Sequence, residues 1–138
     1  MSKLKNKSKS LARENIIKIL YQQDITKYEL NDIYQNFIDK RDYDEKYLIN
    51  TLHLIEDNKR KIIDKIESNT DVKLNDTSPI DRSILILSAA ELLYGNNIPP
   101  KVILDEAIKL SKKYSTEKSY KFINIILDKI LKKLTPND

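Results

Sequence analysis

Apolar residues recur at steps of three and four along most of the chain, so the pattern predicts helices rather than strands. A first helix starting near Ser8 or Ser10 and running to about Gln23 gathers Ala12, Ile16, Ile19, Leu20 and Gln23 on one side. A second, around Leu30 to Ile38, brings Leu30, Ile33, Phe37 and Ile38 together. The third is long, roughly Asp44 to Glu67, with Tyr47, Leu48, Leu52, Ile55, Lys59, Ile62, Ile63 and Ile66 in register. Two polar clusters, Ser68 to Asp71 and Asn75 to Ser78, then read as loops. The next helix start is the best marked: Ser78 caps, Pro79 takes the first helical position, and Asp81 is placed to reach back to the cap. Ile80, Ile84, Leu87, Glu91 and Leu92 follow, and Gly95 reads as a stop with positive φ. Asn96 to Pro100 forms a loop whose prolines launch a helix carrying Ile103, Ala107, Leu110 and Tyr114. Ser115 or Thr116 caps a last helix through Ile123, Ile126, Leu127, Ile130 and Leu134.

The expected fold is all-α: two small helical bundles packed into one compact domain of about six to seven helices. The halves are residues 1–75 and 76–138 of the 138. Composition narrows the chemistry. With no cysteine there are no disulfides, thiolate metal sites or cysteine nucleophiles, and one glycine excludes a glycine-rich phosphate loop. The longest apolar stretch, Ile84 to Tyr94, is interrupted by Ser88 and Glu91 and is too short to cross a membrane. No apolar segment follows the basic opening, so no signal peptide is expected and the protein reads as cytoplasmic.

The net charge of +4 conceals a segregated distribution. Residues 1–23 hold six Lys or Arg against Glu14 alone, residues 24–98 ten against fifteen acidic residues, and residues 99–138 nine against five. Two basic ends thus enclose an acidic middle. Either an anionic partner meets the ends, or a lysine-rich composition is unevenly spread. The first reading makes one surface of the two ends if the first and last helices lie side by side.

No catalytic constellation emerges, and no metal or cofactor is expected. His53 is the sole histidine, and His53 with Glu56 gives two ligands where zinc needs three or four. Asp42, Asp44 and Glu45 mark a helix start, where the macrodipole favours negative charge. Glu91 and Glu106 sit beside apolar residues and are expected to bond a backbone amide or Arg82. The last helix is more informative: Lys118, Lys121, Ile125, Lys129 and Lys132 share an edge, with Phe122 beside it and Asn124 on the flank of Lys121. Ammonium groups, a ring and an amide are what single-stranded RNA binding uses. The first helix adds Lys9, Arg13 and, further along, Tyr21. Phe122 can equally be a core residue, and the lysines simply a solvated face.

Several blocks resemble the bacterial NusB transcription antitermination family. They are Ser10-Leu11-Ala12-Arg13-Glu14 with Ile19-Leu20-Tyr21, Pro79 to Leu85, Ala90-Glu91-Leu92, Ile98-Pro99, Lys101 to Ala107, Leu110 to Tyr114, and Lys121 to Lys129. Together they cover about half the chain in the family's order; residues 25–78 match only in being helical. The resemblance implies a non-enzymatic factor that binds boxA-like single-stranded RNA jointly with the ribosomal protein NusE. It implies association with the RNA polymerase elongation complex and other Nus factors, chiefly on ribosomal RNA operons. Carried over by position, the RNA-binding residues are Lys7, Lys9, Arg13, Lys118, Lys121, Phe122 and Asn124, and the NusE-facing ones Tyr21, Asp76 and Asp81. Three positions depart from the family. Arg13 is the only guanidinium in an opening that is usually arginine-rich, Ile125 replaces a glycine, and Lys118 stands where an acidic residue is common. The alternatives are a helical protein-interaction module without RNA binding, and an accessory domain related to ribosomal RNA methyltransferases.

Overall fold

The computed structural model describes residues 8–95 and 97–134. Among these residues six α-helices follow one another: α1 (Lys9–Thr26), α2 (Leu30–Asn36), α3 (Glu45–Glu67), α4 (Pro79–Tyr94), α5 (Pro100–Tyr114) and α6 (Glu117–Leu134), with a short 3-10 turn at Leu74–Asp76. There is no strand among the described residues; Ser8 and Tyr43 form one isolated bridge.

Local chemistry sets most boundaries. Ser8 Oγ accepts from the Leu11 N–H, Asp44 from Tyr47, Ser78 from Asp81 and Thr116 from Ser119, so each of four helices starts on a side-chain cap. Pro100 opens α5 with Pro99 as its cap residue. Inside α3, Asn58 leaves the helical region (φ −122°, ψ 15°) while its Nδ2 donates to the Leu54 carbonyl at 2.9 Å. That bond competes with the backbone ladder and kinks the helix.

Helix α4 is the axis of the molecule, packing on α1 and α3 on one side and on α5 and α6 on the other. Every residue from Ser83 to Glu91 is buried. A helix surrounded on all sides has no polar stripe, which is why Ile86, Leu85 and Ala89 sit in the core beside the expected face. A single hydrophobic cluster runs from Ala12 to Ile130 across both halves.

Four expectations change. Helix α2 ends at Asn36, and Phe37 is extended, so Ile38 lies outside the helix and is 80% exposed. Leu134, expected on the core face, is exposed at the end of α6. Gly95 has φ −69°, and positive φ falls instead on Lys27 and Asn97. Glycine is needed at 95 because a Cβ there would lie 2.5 Å from the Glu91 carbonyl oxygen. Finally, α1 and α6 do not lie side by side; each packs on α4 and α3. Asn96 of the expected loop lies outside the described residues.

Candidate nucleic-acid interface

Helix α6 buries Ile123, Ile126, Leu127 and Ile130. Along one flank of it, Lys118, Phe122, Ile125, Lys129 and Lys133 follow at steps of four, three, four and four, which makes one ridge. Phe122 is half-buried and packs on the core, while Ile125 is 55% exposed. Lys121 pairs with Glu117 at 3.7 Å and Lys132 with Asp128 at 3.0 Å, one turn apart on the same helix. Lys118, Lys129 and Lys133 have no acidic partner among the described residues. The ridge therefore carries positive charge that the fold does not neutralise.

Asn124 is half-buried, but two positions from Phe122 along the helix, where side chains point nearly opposite ways. Ring and amide thus occupy opposite shoulders of α6. Beyond Phe122 the ridge faces the Ser68–Val72 segment across an open groove of about 590 Å3.

Arg13, expected to offer its guanidinium to RNA, is instead only 3% exposed. Its Nε donates to both Glu91 carboxylate oxygens, at 3.0 and 3.1 Å, and its Nη1 to Glu106 at 3.1 Å. The Tyr47 ring lies 5.3 Å from the guanidinium carbon, and Lys9 Nζ is at the same distance from that ring. Burial pushes the Glu91 carboxyl upward, against the attraction of Arg13. Burial also raises Glu106, but the Ser10 hydroxyl, Lys109 and Arg13 outweigh it and hold that carboxyl below its usual value. The expected partner of these glutamates, Arg82, is engaged elsewhere. It donates to the Asn75 carbonyl at 3.0 Å, clamping the 3-10 turn, and pairs with Asp24 at 2.6 Å.

The sequence contained a usable signal for Arg13 that residue type obscured: it precedes Ile16, Ile17 and Leu20 at core spacing. Of the other basic residues at that end, Lys9 is exposed and Lys7 lies outside the described residues. Since Arg13 is not on the surface and α1 does not flank α6, one continuous basic surface is not built by those two helices.

The residues expected to face a protein partner also divide. Tyr21 is 41% exposed and Asp76 is exposed. Asp81 is buried, and its carboxylate accepts from the Ser115 hydroxyl at 2.5 Å, joining the start of α4 to the α5–α6 connection. His53 and Glu56 are exposed on α3. Among the described residues no group of three or more His, Asp or Glu could hold a metal ion, and no helix is long and apolar enough to cross a membrane.

A central helix packed on by four others, with an unneutralised cationic ridge on the last, defines an all-α domain suited to an anionic partner. Residues 10–132 match the family model described as the NusB family, and the chain belongs to that family. Transcription antitermination protein NusB of Clostridium perfringens is 40% identical over 129 residues, 89% of this chain and 96% of that protein. The Clostridium novyi protein of the same name is 40% identical over 133 residues, covering 92% and 98%. Among solved structures, T. maritima NusB superposes with a TM-score of 0.84 at 34% identity, covering 94% of each chain. A structure described as antitermination factors NusB and NusE in complex with dsRNA shares the fold, with a TM-score of 0.77 at 24% identity, covering 90% of this chain and 96% of that one.

Proposed function

We propose that this chain is a non-catalytic transcription antitermination factor that binds boxA-type single-stranded RNA together with NusE and supports elongation on ribosomal RNA operons. The observation that carries the reading is the family match over residues 10–132. The name shared by the Clostridium relatives and the NusB–NusE–RNA assembly of a protein with this fold support it. In this reading Lys118 and Lys121 neutralise phosphates, and the exposed part of the Phe122 ring stacks on an unpaired base. Asn124 reads a base from the other shoulder of α6, Lys9 contributes charge from the first helix, and Lys7 precedes it in sequence. Arg13 acts from behind, holding α1 against α4 and α5 so that Lys9 is presented. Tyr21 and Asp76 face NusE, with Asp81 fixing the start of α4 beneath them; the acidic middle of the chain suits a basic protein.

The test is a fluorescence anisotropy titration of a labelled boxA-like RNA, with and without NusE. Weak binding by the chain alone, strengthened by NusE, is expected. Phe122→Ala should cost about 1–3 kcal/mol of RNA binding. A folded Phe122→Ala protein with unchanged affinity removes the ring from the interface, and no binding under either condition overturns the reading.

A further inference from the structure

The groove between α6 and the Ser68–Val72 segment has a composition that neither the core nor the helix caps explain. One wall is the ridge: Phe122, Ile125, Lys129 and Lys133. The other is loop, with Asn69, Asp71 and Val72 facing it. Val72 and Ile125 are both exposed large apolar residues, one on each wall of the groove, which the half-buried Phe122 also lines. Lys129 and Lys133 are one turn apart and like-charged, an arrangement that costs an isolated helix a few tenths of a kcal/mol unless an anion compensates it. Asn69 is 5% exposed; its Nδ2 donates to the Lys65 carbonyl at 2.8 Å, and its Oδ1 is buried with no donor. Asp71 adds a carboxylate on the loop side.

We infer that this groove is a nucleotide subsite for single-stranded RNA, beyond the contacts of Lys118, Lys121 and Phe122 from which the family's role is read. The inference rests on the RNA-binding reading above and extends it to residues of the middle region. The base slides edge-on between Val72 and Ile125, which cover its two faces with apolar surface. Its phosphate lies on Lys129 and Lys133, because Asp71 repels it from the loop side. The same carboxylate, and the Asn69 acceptor behind it, favour a base edge that donates. An exocyclic amino group or a water carried in with it supplies the donor Asn69 lacks. Adenine, cytosine and guanine, each with an exocyclic amino group, therefore fit better than uracil, which offers only its N3–H between two carbonyl acceptors. Ile125 is the wall that gives the groove its second apolar face.

The experiment compares the full chain with Val72→Glu and with Lys129→Ala/Lys133→Ala, using Lys101→Ala on α5 as a basic-surface control. All four are checked for helicity and thermal melting. Each is titrated with a fluorescein-labelled boxA-like 12-mer and with labelled A12 and U12 oligonucleotides, and separately with NusE. Both groove variants should lose roughly five- to twentyfold in affinity for the 12-mer, and the control less than twofold. The double variant should also lower the slope of log affinity against log salt by about 1.4, the share of two phosphates, whereas Val72→Glu leaves the slope unchanged. Wild type should prefer A12 to U12, and Val72→Glu should lose that preference. If wild type binds RNA and both variants bind equally well, the subsite is overturned while the RNA reading stands. If the variants weaken NusE binding alone, the groove is a protein surface and the inference fails. If wild type binds no RNA with or without NusE, both readings fall together.

Discussion

At the scale of single residues, Arg13 carries the strongest consequence. A guanidinium buried against two carboxylates is costly to desolvate, and the cost is met only while all its hydrogen bonds are in place. Removing one partner strands the other. Arg13→Ala should destabilise the fold by about 3–5 kcal/mol, lowering the melting temperature by roughly 10–17 °C for a chain of this size. Adding Glu91→Gln to that variant should recover part of the loss, because the stranded charge is then gone. Thermal melts of the two variants check this; a double variant no more stable than the single one overturns it. Two tyrosines give a second prediction. The Tyr34 hydroxyl donates to Glu45 at 2.6 Å and is pushed up to about 12, first by that bond and then by burial. Tyr114 donates to Glu14 at 2.7 Å and is also pushed up to about 12, here chiefly by burial. Both groups keep their protons in the folded state after the unfolded chain would lose them. Between pH 10 and 12 the folded state therefore binds more protons, and stability must fall as pH rises through that window. Melting temperature should drop less steeply over it in Tyr34→Phe/Tyr114→Phe than in wild type.

At the scale of the helices, capping and periodicity were legible and termination was not. Ser78-Pro79 and Thr116 could be read because a side-chain acceptor before a helical stripe satisfies orphaned N–H groups locally, with no tertiary help. The kink at Asn58 was hidden because it depends on whether one amide bonds its own helix or water. The end of α2 was hidden for a related reason: Phe37 keeps its core contact from an extended backbone, so the apolar spacing continued past the helix. Gly95 was placed correctly as a terminator but for the wrong cause, since its role is close approach rather than left-handed backbone. Gly95→Ala should therefore destabilise by about 1–3 kcal/mol, the cost of forcing a methyl against the Glu91 carbonyl. Were φ and contact both unconstrained, the same change would stabilise by about 0.4–1 kcal/mol through the unfolded chain. Urea denaturation distinguishes the two signs.

At the scale of the molecule, the all-α class was legible from spacing, whereas the arrangement of charge in space was not. Linear segregation put Arg13 and the last-helix lysines in one category; burial separates them. The groove beside α6 escaped sequence reasoning because its walls are more than 45 residues apart and one belongs to a segment read only as loop. The charge that does reach solvent makes a quantitative forecast. If about five phosphates are neutralised, log affinity for single-stranded RNA should fall with log salt at a slope of about −3 to −4. A slope near zero across 50–300 mM salt would mean the cationic ridge does not meet phosphates.

The Arg13 clamp also imposes an order of events during synthesis. Its partners lie 78 and 93 residues further along the chain. At about 5–20 residues per second, Glu106 is added roughly 5–20 s after Arg13. Until Glu91 is added, α1 can rest on α2 and α3, which are made early, but its guanidinium has neither clamp carboxylate to receive it, and only Glu106 completes the pair. Helix α1, made before the other described helices, is thus among the last to be locked, its clamp closing only when α5 arrives.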